Sequence, residues 1–165
     1  MKGNLIFVLL TAIFLAACNP GVKPVHKTPT AIAPPVNLAA EVARANAENK
    51  IVFLEFGSSD SCPPCVELEE EVFSKPEFQA YVKTNFIFLH LDFPVHTDLP
   101  PAVTATNIIL HDQFGIDAFP TFIALDENGK EFWRLPEKGE MTLDLAIFKP
   151  KGFIALMESV KKKKK

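Results

Sequence analysis

Cys62-Pro63-Pro64-Cys65 constrains this chain more than any other stretch. An apolar run, Ile51 to Phe56, precedes it, and an amphipathic run, Val66 to Tyr81, follows. A strand that hands two cysteines, two residues apart, to the first turn of a helix is a redox arrangement. The spacing lets the sulfurs close a small-ring disulfide. The helix start offers a thiolate its backbone N–H groups and the positive end of its dipole. The competing readings are half of a zinc site and an inert structural disulfide. A structural zinc site needs about four ligands, and the chain has neither a second cysteine pair nor a His-x-x-x-His. The third cysteine, Cys18, ends the N-terminal apolar segment, so the pair is left free to cycle.

The 165 residues suffice for one domain with a real core, and a 48% hydrophobic content with 15 Phe excludes a disordered chain. The body from Asn37 to Val160 carries 20 acidic and 9 basic residues, and Lys161–Lys165 forms a basic tail. No basic patch with interleaved aromatics offers itself to nucleic acid.

Along the chain, residues 1–17 read as a signal peptide: Lys2, then an apolar run, Leu5 to Leu15, too short to span a bilayer comfortably. Residues 18–36 hold five prolines and no apolar periodicity, a tether with extended polyproline stretches. Asn37 is placed to cap a helix through Ala47. Ile51–Phe56 reads as a buried central strand. A helix from about Pro63 is expected to turn Val66, Leu68, Val72 and Phe73 to the sheet, and Glu67, Glu69, Glu70 and Glu71 to water. Ser74–Glu77 interrupts it, and Phe78–Val82 continues as a second helical piece. Phe86–Asp92 reads as another buried strand, Phe93–Thr104 as a loop, and Ala105–Phe114 as a helix ending near Gly115. Pro120 precedes the apolar strand Thr121–Leu125, a position that a cis Phe119–Pro120 bond reconciles with a tight turn. Asp126–Gly129 is a hairpin turn, Lys130–Leu135 the returning strand, and Phe148–Val160 a terminal helix.

The order strand, Cys-x-x-Cys, helix, strand, helix, Phe119-Pro120-Thr121, hairpin, helix resembles the thioredoxin superfamily over residues 37–160. Glu55-Phe56-Gly57-Ser58-Ser59-Asp60-Ser61-Cys62 resembles the exported bacterial members that carry Glu-Phe…Gly-Ser-Asp-Trp-Cys, and Leu91-Asp92-Phe93-Pro94 is a further signature. Where those members have Trp, this chain has Ser61. The resemblance implies a three-layer α/β/α fold around a mixed sheet, with a cis-proline facing the cysteines. It also implies thiol–disulfide exchange without a cofactor beyond the Cys62–Cys65 disulfide. Cys62 would attack a partner disulfide as thiolate, and Cys65 would then resolve the mixed disulfide. Phe119 and Pro120 would hold the partner's chain by strand-like pairing. Thioredoxins bury an Asp–Lys pair beneath the cysteines; Glu55 is the matching acid here, a possible proton relay, and Phe88 stands at the lysine's position.

Leu15-Ala16-Ala17-Cys18 resembles the lipobox of bacterial lipoproteins, which implies acylation of Cys18 and attachment to a lipid bilayer, facing the periplasm. Asn19, in place of Asp, favours the outer membrane over the inner. The partners so implied are protein disulfide substrates and a membrane or periplasmic thiol electron donor. The basic tail reads either as a contact to anionic lipid or as a solvated terminus. The prolines at 63 and 64 carry no N–H, so Cys65 is the first residue able to donate to the Cys62 sulfur. That predicts a weakly stabilised thiolate and a reducing couple. The alternative is a thioredoxin-fold binding module, a metallochaperone or assembly factor without general redox activity. His90, His96 and His111 lack metal-ligand spacing to the cysteines.

Overall fold

The computed structural model describes residues 34–140 and 143–164. The signal peptide, the lipobox with Cys18 and most of the tether lie outside the described residues. Four strands form one mixed sheet in the order β2-β1-β3-β4. β1 is Ile51–Gly57, β2 Phe86–Asp92, β3 Thr121–Leu125 and β4 Glu131–Leu135. β1 runs parallel to β2 and antiparallel to β3, and β3 runs antiparallel to β4. The helices are α1 (Leu38–Ala47), α2 (Pro63–Leu68), α3 (Pro76–Asn85), α4 (Pro101–Phe114) and α5 (Pro150–Lys163). One turn of π-helix, Glu69–Phe73, joins α2 towards α3, and a 3-10 turn, Leu145–Phe148, leads into α5.

Local chemistry accounts for the boundaries. Asn37 caps α1 by accepting the Ala40 N–H at 3.1 Å. Three later helices begin with proline at a first-turn position, where an N–H would go unused: Pro76, Pro101 and Pro150. Gly115 ends α4 in the left-handed conformation, φ 57°. At the hairpin, Asp126 Oδ1 accepts the N–H groups of Asn128 and Lys130, and Gly129 takes φ 76°.

β1 is buried along its whole length because both faces of the sheet are covered. On one face Phe53, Phe73, Phe78, Phe122 and Phe153 interlock beneath the π turn, α3 and α5, mostly edge-on. On the other, Val52, Leu54, Phe56, Leu91 and Ile123 pack with Ala45 of α1 and with Leu110 and Phe114 of α4. Alternation along β1 therefore puts Phe53 and Glu55 on the face that α2 also covers.

Three expectations need correction. β2 is an edge strand, so Phe88 and Leu89 are only half-buried and His90 is exposed, where a fully buried strand was expected. α4 starts at Pro101, which shortens the preceding loop. α5 runs through Lys163, and the basic tail begins as its last turn. There Lys161 Nζ reaches Asn85 Oδ1 at 2.8 Å and Glu158 Oε1 at 3.1 Å, and cations complement the helix C-terminus.

Candidate redox site

Cys62 and Cys65 form a disulfide, with their Cα atoms 5.2 Å apart. Cys62 is the N-cap of α2, and its sulfur accepts the Cys65 N–H at 3.3 Å. Pro63 and Pro64 occupy the first two helical positions, so this amide is the hydrogen-bond donor the helix start offers the sulfur. Cys62 is 8% exposed and Cys65 5%. Cys62 lines an open groove of about 830 Å³ whose rim carries Asp60, Glu67, Glu70 and Glu71, with Lys149 as the cation. Cys65 faces inward. The outer sulfur is thus the one a partner can reach, and the inner one is placed to attack whatever joins the outer.

The turn that presents the pair is tied down by polar contacts. Asp60 accepts the N–H groups of Val95 and His96 at 2.7 and 2.8 Å. The Val95 bond does most to hold its carboxyl below the usual range, with burial opposing and His96 adding. Asp92 accepts the Ser59 N–H at 2.8 Å and the Ser59 hydroxyl at 2.7 Å. Ser61, at the tryptophan position of the resembling members, bonds through its hydroxyl to that of buried Ser58 at 2.6 Å. It therefore exchanges an aromatic wall for a place in the loop's hydrogen-bond network.

Beneath the pair lies Glu55, 1% exposed. Its register partner on β2 is His90, and the imidazole Nδ1 lies against Glu55 Oε2 as an ion pair. No aligned hydrogen-bond donor among the described residues reaches either carboxylate oxygen. Phe88 pairs with Phe53 further along the strand, so the cation beside the acid is His90 and not a residue at 88. His90's pKa is raised to about 9: desolvation works against the charge, and the charge and contact of Glu55 outweigh it, helped by Asp92 and Glu69. Gly57 makes room for this arrangement. A Cβ there would overlap Glu55 Oε1 and sit 3.3 Å from Cys65 Sγ.

Phe119–Pro120 is a cis bond, and Leu135–Pro136, which the sequence did not signal, is another. Pro64, Phe119, Pro120, Pro136 and Phe148 enclose a small apolar hollow of about 210 Å³ on this side of the pair. The Thr121 hydroxyl closes the turn on the Ala118 carbonyl at 2.7 Å, and the Phe119 ring stacks on Phe93 at 5.2 Å. Among the described residues the Phe119 backbone has no hydrogen-bond partner. Cys62, Cys65, Glu55, Phe119 and Pro120 are thus gathered at one end of the sheet, while Cys18 lies outside the described residues. No group of three or more His, Cys, Asp or Glu side chains among the described residues is placed to hold a metal ion.

His90 is the site residue that sequence reasoning missed. The signal was available in the strands: pairing Ile51 with Phe86 in parallel register sets Glu55 opposite His90.

A family model described as a thioredoxin-like domain matches residues 36–145. Disulfide bond reductase DsbH of Chlamydia pneumoniae is 24% identical over 123 residues, covering 74% of this chain and 68% of its own. Among solved structures, a DsbH oxidoreductase superposes with a TM-score of 0.60 at 20% identity, over 87% of this chain and 94% of that one. A thioredoxin from Thermus thermophilus gives 0.52 at 21% identity, over 79% and 87%.

Proposed function

This chain belongs to the thioredoxin-like domain family and is a thiol–disulfide oxidoreductase, and from that premise we propose that it reduces protein disulfides from a lipid anchor in the cell envelope. The observation that carries the reading is the Cys62–Cys65 disulfide at the start of α2, with one sulfur on an open groove and the other turned inward. In the reduced protein the Cys62 thiolate attacks one sulfur of the partner disulfide. A Cys62–partner bond forms, and the partner's other sulfur leaves and is protonated. The Cys65 sulfur then attacks Cys62, the partner's remaining sulfur departs, and the pair ends oxidised by two electrons. Glu55, beneath Cys65, is the group we assign to accept the Cys65 proton. Phe119 and Pro120 bind the partner chain, using the unbonded Phe119 backbone as an added strand edge. A thiol donor returns the electrons to the pair.

Reduction, rather than oxidation, is the direction favoured by the single N–H available to the Cys62 sulfur and by the acidic rim, both of which leave the thiolate poorly stabilised. The Chlamydia relative, named a disulfide bond reductase, agrees with that direction. The anchor rests on the Leu15-Ala16-Ala17-Cys18 run: residues 1–17 as signal, Cys18 acylated, 18–36 as tether, and the catalytic domain displayed to the periplasm, with the outer membrane favoured by Asn19. Acyl chains contribute about 0.8 kcal/mol per buried CH₂, so more than one gives stable attachment.

Insulin reduction in the presence of dithiothreitol tests the chemistry. Wild type should accelerate insulin precipitation and Cys62→Ser should not; equal activity of the two removes the reading. Metabolic labelling with palmitate tests the anchor, which fails if a Cys18→Ala chain is labelled and sediments with membranes like its parent.

A further inference from the structure

Resting on the exchange reaction proposed above, we propose that the groove over Cys62 selects its partners by charge. It takes a disulfide-bearing segment with lysine or arginine close to the attacked cysteine, and Glu67 and Glu70 are the residues that read that cation.

The groove that Cys62 lines holds about 830 Å³. That lies within the range of about 300–1,000 Å³ that encloses a small ligand, so it admits a short run of chain and not a folded surface. A disulfide attacked by the Cys62 sulfur has to enter here, since this is the groove the sulfur opens on. Its walls are not neutral. The carboxylates of Asp60, Glu67, Glu70 and Glu71 line it against the single ammonium of Lys149. Two of the acids are already engaged: Asp60 by the Val95 and His96 amides, and Glu71 by Lys75 at 4.0 Å. Glu67 and Glu70 are exposed, and neither makes an ion pair among the described residues. Lys149 makes none either, so the charge of the groove is not cancelled from within.

Helical spacing sets where these two acids stand. Pro63, Val66, Glu67 and Glu70 recur at three and four residues and share the face that α2 and the π turn present to the groove. At about 1.5 Å of rise per residue, Glu67 lies about 7.5 Å beyond Cys62 along the axis and Glu70 about 12 Å. An extended partner chain advances about 3.3 Å per residue. With its cysteine at the Cys62 sulfur, residues two to four places away come level with the two glutamates. Val66, half-buried on the same face, offers the aliphatic stem of a lysine or arginine an apolar wall. The cationic head then meets a carboxylate that has no other partner. An acidic segment would bring like charge to the same place, so the groove acts on encounter rate and on the choice of partner.

The test compares peptides that differ in charge alone. Each is a short peptide whose one cysteine is joined to thionitrobenzoate. Each is mixed with the reduced full chain, and release of the coloured thiolate times attack by Cys62. The first peptide carries lysines two and four residues from the cysteine, the second glutamates at those places, and the third lysines at least eight residues away. In about 0.1 M salt, where screening acts over about 10 Å, the first should react about tenfold faster than the second, one attracted and the other repelled at two exposed carboxylates. The ratio should fall below about twofold in about 1 M salt, where screening acts over about 3 Å. The third should be about threefold slower than the first, because its cations lie beyond the screening length. Glu67→Gln/Glu70→Gln should bring the first ratio down to about twofold. Glu48→Gln/Glu127→Gln, which removes as much charge from exposed positions at the far end of β1 and β3, should leave it intact. Taking ratios within one protein removes any change in the reactivity of the thiol itself.

A wild-type ratio near one overturns the proposal. So does a ratio that survives in the groove variant, a ratio that falls equally in the distant variant, or a third peptide as fast as the first. If the groove variant does not fold, the first and third peptides on wild type decide alone. Failure of the exchange reading is distinguishable: wild type would then release thiolate from every peptide no faster than a free thiol does, and both readings would go together.

Discussion

Replacing Pro64 by Ala should make this redox couple measurably more oxidising. An N-cap side chain accepts from the second or third helical N–H. In α2 the second position is Pro64, so the Cys62 sulfur depends on the Cys65 N–H at 3.3 Å. Pro64→Ala supplies the missing donor while keeping a residue that suits a helix. A hydrogen bond to a charged acceptor contributes about 1.5 kcal/mol, which corresponds to a fall of about one unit in the Cys62 thiol pKa. A stabilised thiolate favours the reduced form, and the same energy in a two-electron couple is about 30 mV. Equilibration with glutathione buffers reads the potential, and the pH dependence of Cys62 alkylation reads the thiol. The parent should lie nearer to about −270 mV than to about −120 mV, with the variant above it. A variant whose potential is unchanged or lower refutes the reasoning. So does a parent as oxidising as about −120 mV.

Phe153→Ala should cost about 3–5 kcal/mol, because the ring is fully buried against Phe53, Phe73, Phe78 and Phe122; a urea-midpoint loss worth under about 1 kcal/mol would contradict the packing described. Gly57→Ala should be destabilising and should slow resolution by Cys65, since its Cβ overlaps Glu55 Oε1; stopped-flow release of a Cys62-bound thiol would expose an unaffected variant. His90 should make stability fall on the alkaline side. Its folded pKa, about 9, exceeds the unfolded 6.5, so its contribution is complete below about 6.5 and lost as pH rises through about 9. With the ring 40% exposed, solvent screening reduces that contribution to about 1 kcal/mol. A urea midpoint that climbs over this interval, or one that drops equally in His90→Gln, would count against it.

The parts of this molecule that could be read from sequence are those written in local spacing. Cys-x-x-Cys before an amphipathic run, Asn37 before α1, Gly115 after α4, Phe-Pro ahead of an apolar strand and the Asp126–Gly129 turn each carry their structure within a few residues. The parts that were not legible depend on pairing between distant segments. Whether Phe86–Asp92 lies inside the sheet or at its edge is decided by what hydrogen-bonds to its far side, and Phe-Ile-Phe-Leu-His-Leu reads the same in either case. Which residue of this strand stands across from the buried acid is likewise decided by pairing: Phe88 is the residue that matches the family's lysine in sequence, whereas the parallel register with β1 puts His90 opposite Glu55. Ser61 looked like the loss of an aromatic residue, because its gain, the bond to Ser58, exists only once the loop has folded back on itself. The last apolar residue, Val160, marks the end of α5 in the sequence, although Lys161 finds its anchors in Asn85 and Glu158.

The Asp60 carboxylate grips Val95 and His96 through their main-chain amides, not their side chains. Such a clasp is indifferent to which letters stand at 95 and 96, provided neither is proline, and intolerant of any change in how many residues separate them from β2. Diversification of this segment should therefore proceed by exchange and not by insertion or deletion. A library that shuffles its composition at constant length would vary an exposed loop while leaving the sulfurs where they are.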